Sequence, residues 1–219
     1  MKHHWHIAEN KPDAAANLAR TLGISHLLAQ CLMNRGLTNG AEAQSFLAPR
    51  LADLSAPEAI PNLPAAVERL FVARERNERI TVFGDYDVDG VTSSTLLVDC
   101  MRPLGWKMEA YLPHRMNEGY GLTVEGVANC LEKHETDLLL AVDCGSTSLD
   151  EIALLQEKGI PVIVLDHHQV SDPAPPAHAI VNPQLANEDE PDFRELCSAG
   201  LAFKLIHGLV KAGREKGLN

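Results

Sequence analysis

The stretch at residues 80–92, ITVFGDYDVDGVT, decides the fold. Its first four residues, Ile80, Thr81, Val82 and Phe83, are β-branched or aromatic and predict a buried strand. Gly84 ends that run. Three alternating carboxylates come next at Asp85, Asp87 and Asp89, and Gly90 then releases the chain into a Ser/Thr-rich helix start. Acids packed this closely repel one another, so a fold that gathers them at a strand end normally neutralises them with a cation. Two readings stand on these residues alone: a metal site, or an acidic turn left in solvent.

From residue 80 onward strands alternate with helices, the pattern of a parallel, doubly wound α/β sheet flanked by helices. Strands are expected at 80–83, 107–112, 137–142, 161–165 and 179–181, and helices at 91–101, 123–133, 149–158 and 198–211. Gly159, Ile160 and Pro161 form a helix stop that feeds directly into a strand. Right-handed crossovers bring the carboxyl ends of such strands to one edge, where ligands bind. The residues just past each strand are therefore decisive. ITVFG leads to Asp85, Asp87 and Asp89; DLLLAV leads to Asp143; PVIVL leads to Asp166, His167 and His168. An aspartate at such a turn is commonly a helix N-cap, a reading most credible for Asp143 before Cys144, Gly145 and Ser146. Three strands delivering acids to one edge weaken it for the set.

Upstream, Asp13 or Asn17 is expected to cap a helix ending at Leu22, a second helix runs from Ser25 to a stop at Gly36, and a third covers 41–47 before Pro49. Residues 1–64 are thus expected to be a small helical segment with a connector carrying Pro57, Pro61 and Pro64, and 65–219 the α/β domain. The helix at 65–78 places Val67, Leu70, Phe71 and Arg74 on one side. Arg74, Arg76 and Arg79 suit phosphate contacts or, more simply, a solvated face.

At 219 residues with 45% hydrophobic content the chain buries a substantial core, and a net charge of -11 argues against a surface that attracts nucleic acid everywhere. A local basic groove survives that average. Five cysteines form no CxxC pair and are odd in number, so a reducing cytoplasm fits better than a disulfide framework. No apolar run reaches the length of a membrane span, and MKHHWHIAEN has no signal-peptide core. His3, His4 and His6 read as a polar terminus anchored by Trp5.

Carboxylates with one or two imidazoles and no thiolate suit Mn2+ best, with Mg2+ next. Asp87, Asp89, Asp143 and His167 supply ligands for a pair of ions about 3.5–4 Å apart if one carboxylate bridges. Phosphoester hydrolysis is the reaction that needs such a pair. His168 is available to a phosphate oxygen, and Asp166 to hold a neighbouring imidazole.

Asp166-His167-His168 matches the signature tripeptide of the DHH phosphoesterases, and FGDYDVDGVT (83–92) with AVDCG (141–145) resembles their first two motifs. PHRMNEGYGLT (113–123), IVNPQL (180–185) and SAGLAFKL (198–205) are similar to stretches of the single-stranded-DNA-specific exonucleases of that family. The resemblance implies a two-metal nuclease using Mn2+ or Mg2+, acting 5'-to-3' on single-stranded DNA in repair and recombination, beside a single-strand-binding protein and a helicase. By motif, Asp87, Asp89, Asp143 and His167 would bind metal, Asp85 would bind or support it, and His168 would act on the scissile phosphate. Family members carry a further metal-binding aspartate and further domains beyond the point matching Asn219, so on this resemblance the chain is expected to be a fragment. Other family activities, on small nucleotides or pyrophosphate, and an inactive scaffold are the alternatives. An inactive relative is expected to have lost acids, whereas Asp87, Asp89, Asp143, Asp166, His167 and His168 are all present.

The stretch after the second strand sets His114 and Arg115 near the same edge, with Gly119, Tyr120 and Gly121 as a turn. Arg115 suits a DNA phosphate and Tyr120 a base or sugar, or its ring packs inward. SAGLAFKL either packs through small residues or presents Ser198, Gly200 and a helix N-terminus to phosphate.

Overall fold

The computed structural model describes residues 4, 6–187 and 193–218; His3 and Trp5 lie outside them. The chain divides into two units, Met1–Ser55 and Ala56–Asn219. In the first, helices α1 (Pro12–Leu22), α2 (His26–Asn34) and α3 (Gly40–Leu47) bury Ala15, Leu18, Ala29, Leu32 and Ala43 against one another. Ser25, expected as the first residue of α2, caps it instead by accepting the Leu28 amide. α1 differs from expectation: it starts one residue before Asp13, because Pro12 supplies a preset φ at the first helical turn, and no side chain caps it.

The second unit begins before the connector ends. Ile60 and Leu63 are buried in its core, and helix α4 (Leu63–Glu75) starts two residues earlier than its polar pattern suggests. Five strands follow, β1 (Arg79–Gly84), β2 (Lys107–Tyr111), β3 (Leu138–Val142), β4 (Val162–Leu165) and β5 (Ala179–Val181), each within one residue of its expected bounds. All pair in parallel in the order β2-β1-β3-β4-β5. Between and after them lie α5 (Val88–Met101), the short α6 (Arg115–Glu118), α7 (Val124–Lys133), α8 (Leu149–Glu157) and α9 (Ser198–Glu215).

Alternation along the strands divides the core in two. Ile80, Val82, Leu138, Leu140, Ile163 and Leu165 face α4, α5 and α9, whereas Phe83, Leu139, Ala141, Val162 and Val164 face α7 and α8. Helices therefore cover both faces, which explains near-continuous apolar strands such as LLLAV. At this scale each fully buried aliphatic side chain contributes about 1.5–3 kcal/mol before its entropy cost. The strand order reverses between β1 and β3, and open parallel sheets bind ligands in the crevice at such a reversal. Among the described residues no helix is long and apolar enough to cross a membrane.

Arg74 is half-buried, whereas Arg76 and Arg79 lie on an exposed face, as the solvated reading expects. Arg74 stacks 5.3 Å from the Trp106 ring and donates to the Leu104 carbonyl, Arg76 lies 3.9 Å from Glu78, and Arg79 pairs with Asp137 at 2.9 Å.

Candidate metal centre

The register of the sheet lines the acids up. Gly84 pairs with Val142, Val142 with Leu165, and Leu165 with Val181. The next residue of each strand is Asp85, Asp143, Asp166 and Asn182, and the parallel ladder runs one step further through their amides: Asp85 N–H donates to Val142, Asp143 N–H to Leu165, and Asp166 N–H to Val181. All four side chains are buried. One row of pairing thus sets three carboxylates side by side in low-dielectric surroundings.

The loops add the rest. Asp87 is the N-cap of α5, its Oδ1 accepting the Asp89 amide at 2.8 Å and the Gly90 amide at 3.1 Å. The helix consequently starts at Val88, three residues earlier than expected, and Asp89 falls in its first turn. Gly90 is required here, since a Cβ on it would lie 2.3 Å from the Asp85 carbonyl oxygen. Asp143, the favoured cap candidate from sequence, caps nothing: it sits at φ 62 and α8 begins only at Leu149. A non-glycine residue in the left-handed region at a strand end is the kind of strain found at functional sites.

Two groups of donors stand within 4.8 Å of one another among the described residues: Asp85, Asp87 and Asp143, and Asp143, His167 and His168. Asp143 belongs to both. His167 Nε2 lies 3.5 Å from Asp143 Oδ1 and 3.9 Å from Asp89 Oδ2. Asp89 is outside both groups; its two oxygens accept the Ser198 and Ala199 amides at 3.2 and 3.1 Å.

Electrostatics mark the cluster as short of positive charge. Burial pushes the Asp143 carboxyl up to about 7; the Ser198 hydroxyl opposes this, and the charges of Asp87 and Asp89 add to it. Burial also raises Asp85, against amide bonds from Tyr86 and Gly121. Its Oδ2 is buried with no hydrogen-bond partner. An orphaned carboxylate oxygen beside oxygen and imidazole donors fits a hard divalent ion such as Mn2+ or Mg2+. Asp87 goes the other way, held low chiefly by the Gly90 amide.

Asp166 is fully engaged. Oδ1 accepts the His167 amide at 2.8 Å and lies 2.7 Å from His168 Nδ1, while Oδ2 accepts the Ser146 amide at 3.2 Å. Burial works against its charge, but these bonds outweigh it and the carboxyl stays below its ordinary value. For His168, burial disfavours the imidazolium and the Asp166 carboxylate prevails, so its pKa is raised.

The remaining predicted residues fall into two sets. His114 and Arg115 are exposed, and Tyr120 is 61% exposed, so its ring does not pack inward. The Arg115 guanidinium lies 5.1 Å from the Tyr86 ring, which meets Tyr120 edge-on at 6.0 Å. Partial burial and the charges of Asp85, Asp143, Asp87 and Asp166 raise the Tyr120 phenol, which ties it electrostatically to the cluster. Ser198, in contrast, is buried, with its hydroxyl 2.7 Å from Asp143 Oδ1. Gly200 faces Leu196; a Cβ there would stand 3.1 Å from the Leu196 side chain.

Sequence reasoning misses several polar residues that brace this edge. Glu118, buried, accepts from the Tyr111 hydroxyl, the His114 amide and Asn129, the last at 2.6 Å, and so ties the loop after β2 to β2 and α7. Asn182 donates to Ser146 Oγ at 2.9 Å and to the His168 carbonyl at 2.8 Å. Tyr86 carries Arg115. The only local signal is the wording of the motifs that contain Glu118 and Asn182.

Residues 79–218 match the model described as DHH family, N-terminal domain. The chain is 33% identical over 209 residues to the single-stranded-DNA-specific exonuclease RecJ of Bacillus subtilis, covering 95% of this chain and 26% of that protein. Among solved structures, an exonuclease RecJ bound to manganese superposes with a TM-score of 0.65 at 37% identity, over 76% of this chain and 41% of that one. RecJ from Thermus thermophilus in complex with Mn2+ gives 0.75 at 30% identity, over 97% of this chain and 29% of that one. The chain therefore spans about a quarter of the length of the curated relative it matches.

Proposed function

This chain belongs to the DHH family, and from that premise we propose that it carries the ion-binding domain of a 5'-to-3' single-stranded-DNA-specific exonuclease that hydrolyses phosphodiester bonds with two divalent ions. The observation that carries the reading is the sharing of Asp143 between two donor groups at the β1/β3 reversal. Asp85, Asp87 and Asp143 would hold one Mn2+ or Mg2+, and Asp143 and His167, with Asp89 nearby, the other. When bound, such ions stabilise negative charge building on a phosphoryl group and acidify water near neutrality.

The protein's own groups then have distinct tasks. Asp166 fixes His168 through Nδ1, which leaves Nε2 to donate to a phosphate oxygen. Arg115, exposed over Tyr86, neutralises a backbone phosphate, and Tyr120 offers an exposed ring to a base or sugar. His114 is available to the same strand. In this reading the protein serves DNA repair and recombination in the cytoplasm, beside a single-strand-binding protein and a helicase. The similarity to RecJ exonucleases and to their manganese-bound structures supports it.

The test pairs Mn2+ titration of the chain with release of nucleotides from 5'-labelled single-stranded and duplex DNA by the full-length protein. The expected result is Mn2+-dependent degradation of the single strand alone, abolished in His167→Ala. Wild-type turnover in His167→Ala, or equal attack on duplex, overturns the reading.

A further inference from the structure

Two of the carboxylates that the divalent-ion reading relies on are held by an element that reading leaves without a task. Ser198 opens α9, and it is buried. Its hydroxyl donates to Asp143 Oδ1 at 2.7 Å, its amide to Asp89 Oδ2 at 3.2 Å, and the Ala199 amide to Asp89 Oδ1 at 3.1 Å. These partners lie 55, 109 and 110 residues apart in sequence, so no local turn produces them.

The arrangement solves a problem for both sides. The N-cap residue of α9, Cys197, makes no side-chain capping bond, and the first amides of a helix need acceptors. Asp89 supplies them from α5, and its charge complements the positive end of the helix. In return each Asp89 oxygen has one acceptor direction fixed, as does Oδ1 of Asp143. An ionised carboxylate has about four acceptor directions. Fixing some of them sets where the rest point, and such outer contacts govern how well a ligand set receives an ion.

We propose that Ser198 is a positioning residue for the ion-binding carboxylates, and that ion binding and docking of the first turn of α9 are thermodynamically linked. The proposal rests on the divalent-ion reading above and assigns Ser198 to the ligands rather than to phosphate. By linkage, an ion that orders Asp89 and Asp143 strengthens the α9 contacts, and those contacts strengthen ion binding by the same factor.

The experiment is calorimetric titration of Mn2+ into wild type, Ser198→Ala and Ser198→Thr, with residue-resolved amide exchange of the wild type with and without Mg2+. Ser198→Ala is expected to bind Mn2+ about 10–100-fold more weakly, and Ser198→Thr, which keeps the hydroxyl, to bind close to wild type. The Ser198 and Ala199 amides are expected to exchange more slowly with Mg2+. A serine that only supports the fold would lower thermal stability and leave ion affinity unmoved, so wild-type affinity in Ser198→Ala overturns the proposal. If that variant does not fold, the exchange measurement decides: amides indifferent to Mg2+ overturn it. Absence of Mn2+ binding by wild type overturns both this proposal and the reading beneath it, whereas failure of the variant alone leaves the ion site standing.

Discussion

Asp166 Oδ1 lies 2.7 Å from His168 Nδ1, and the same oxygen accepts the His167 and His168 amides, so one buried atom holds both imidazole-bearing residues of the tripeptide in place. Asp166→Asn keeps the shape but turns an amide nitrogen toward a backbone or ring donor. Expected losses are about 1–3 kcal/mol of stability for the unsatisfied donor and about 10²-fold or more in turnover. The raised His168 pKa gives a further readout. A raised imidazole stabilises the fold fully below its unfolded pKa and loses that contribution as pH rises through the folded value. In metal-free Asp166→Asn the His168 imidazole is expected to deprotonate at lower pH, as NMR titration would register.

Asp143 shifts in the same direction, but there the charged form is the one the fold penalises. Its carboxyl is raised from 3.8 to about 7, so between those values the folded chain holds a proton that the unfolded chain has lost. Stability of the metal-free protein therefore falls as pH rises through that window. Asp143→Asn removes the penalty, keeps an oxygen for Ser198, and suits a φ of 62. At pH 8 the metal-free variant is expected to melt above wild type, by about 2–4 °C per kcal/mol relieved, while Mn2+ no longer raises its melting temperature. Calorimetry of both forms at pH 4.5 and 8 checks the crossover.

Glu118 anchors the loop that bears Arg115 and Tyr120. Glu118→Ala leaves the Tyr111 hydroxyl and Asn129 without their shared acceptor. A cost of about 2–4 kcal/mol is expected in urea unfolding. Burial opposes the Glu118 charge, yet its hydrogen bonds win and lower its pKa. That contribution is present above the unfolded pKa and is lost as pH falls through the folded value. Single-stranded oligonucleotide binding, read by fluorescence anisotropy, is expected to weaken more than Mn2+ binding.

Gly90→Ala tests the tightest contact at the centre. The added methyl would meet the Asp85 carbonyl oxygen at 2.3 Å and its nitrogen at 2.6 Å, both backbone atoms with nowhere to go. Loss of about 3 kcal/mol or more is expected. Gly23→Ala is the control, since it meets nothing within 4 Å and carries only the strain of φ 67.

The strands are legible in the sequence because a strand buried on both faces writes itself as an unbroken apolar run, and LLLAV and VIVL have no other use. The acids after them are legible because parallel pairing must bring such positions to one edge. The capping role falls to Asp87 rather than Asp143, a distinction the sequence hides, since both precede small or glycine-bearing turns and only the backbone conformation separates them. Glu118, Asn182 and the task of Ser198 are hidden for a different reason. Periodicity reports which face a residue occupies, not its partner, and Asn182 and Ser146 find each other across 36 residues.

The shared row of pairing that seats Asp85, Asp143 and Asp166 has a kinetic corollary. Its members are drawn from β1, β3 and β4, with α9 closing over Asp89 from the far end of the unit, so no early hairpin or single helix can assemble it. An ion that recognises the finished row has nothing to grip in a half-formed chain. Divalent metal should accordingly slow the rate at which the native protein opens while leaving the rate of its formation almost untouched, the signature of contacts made after the transition state.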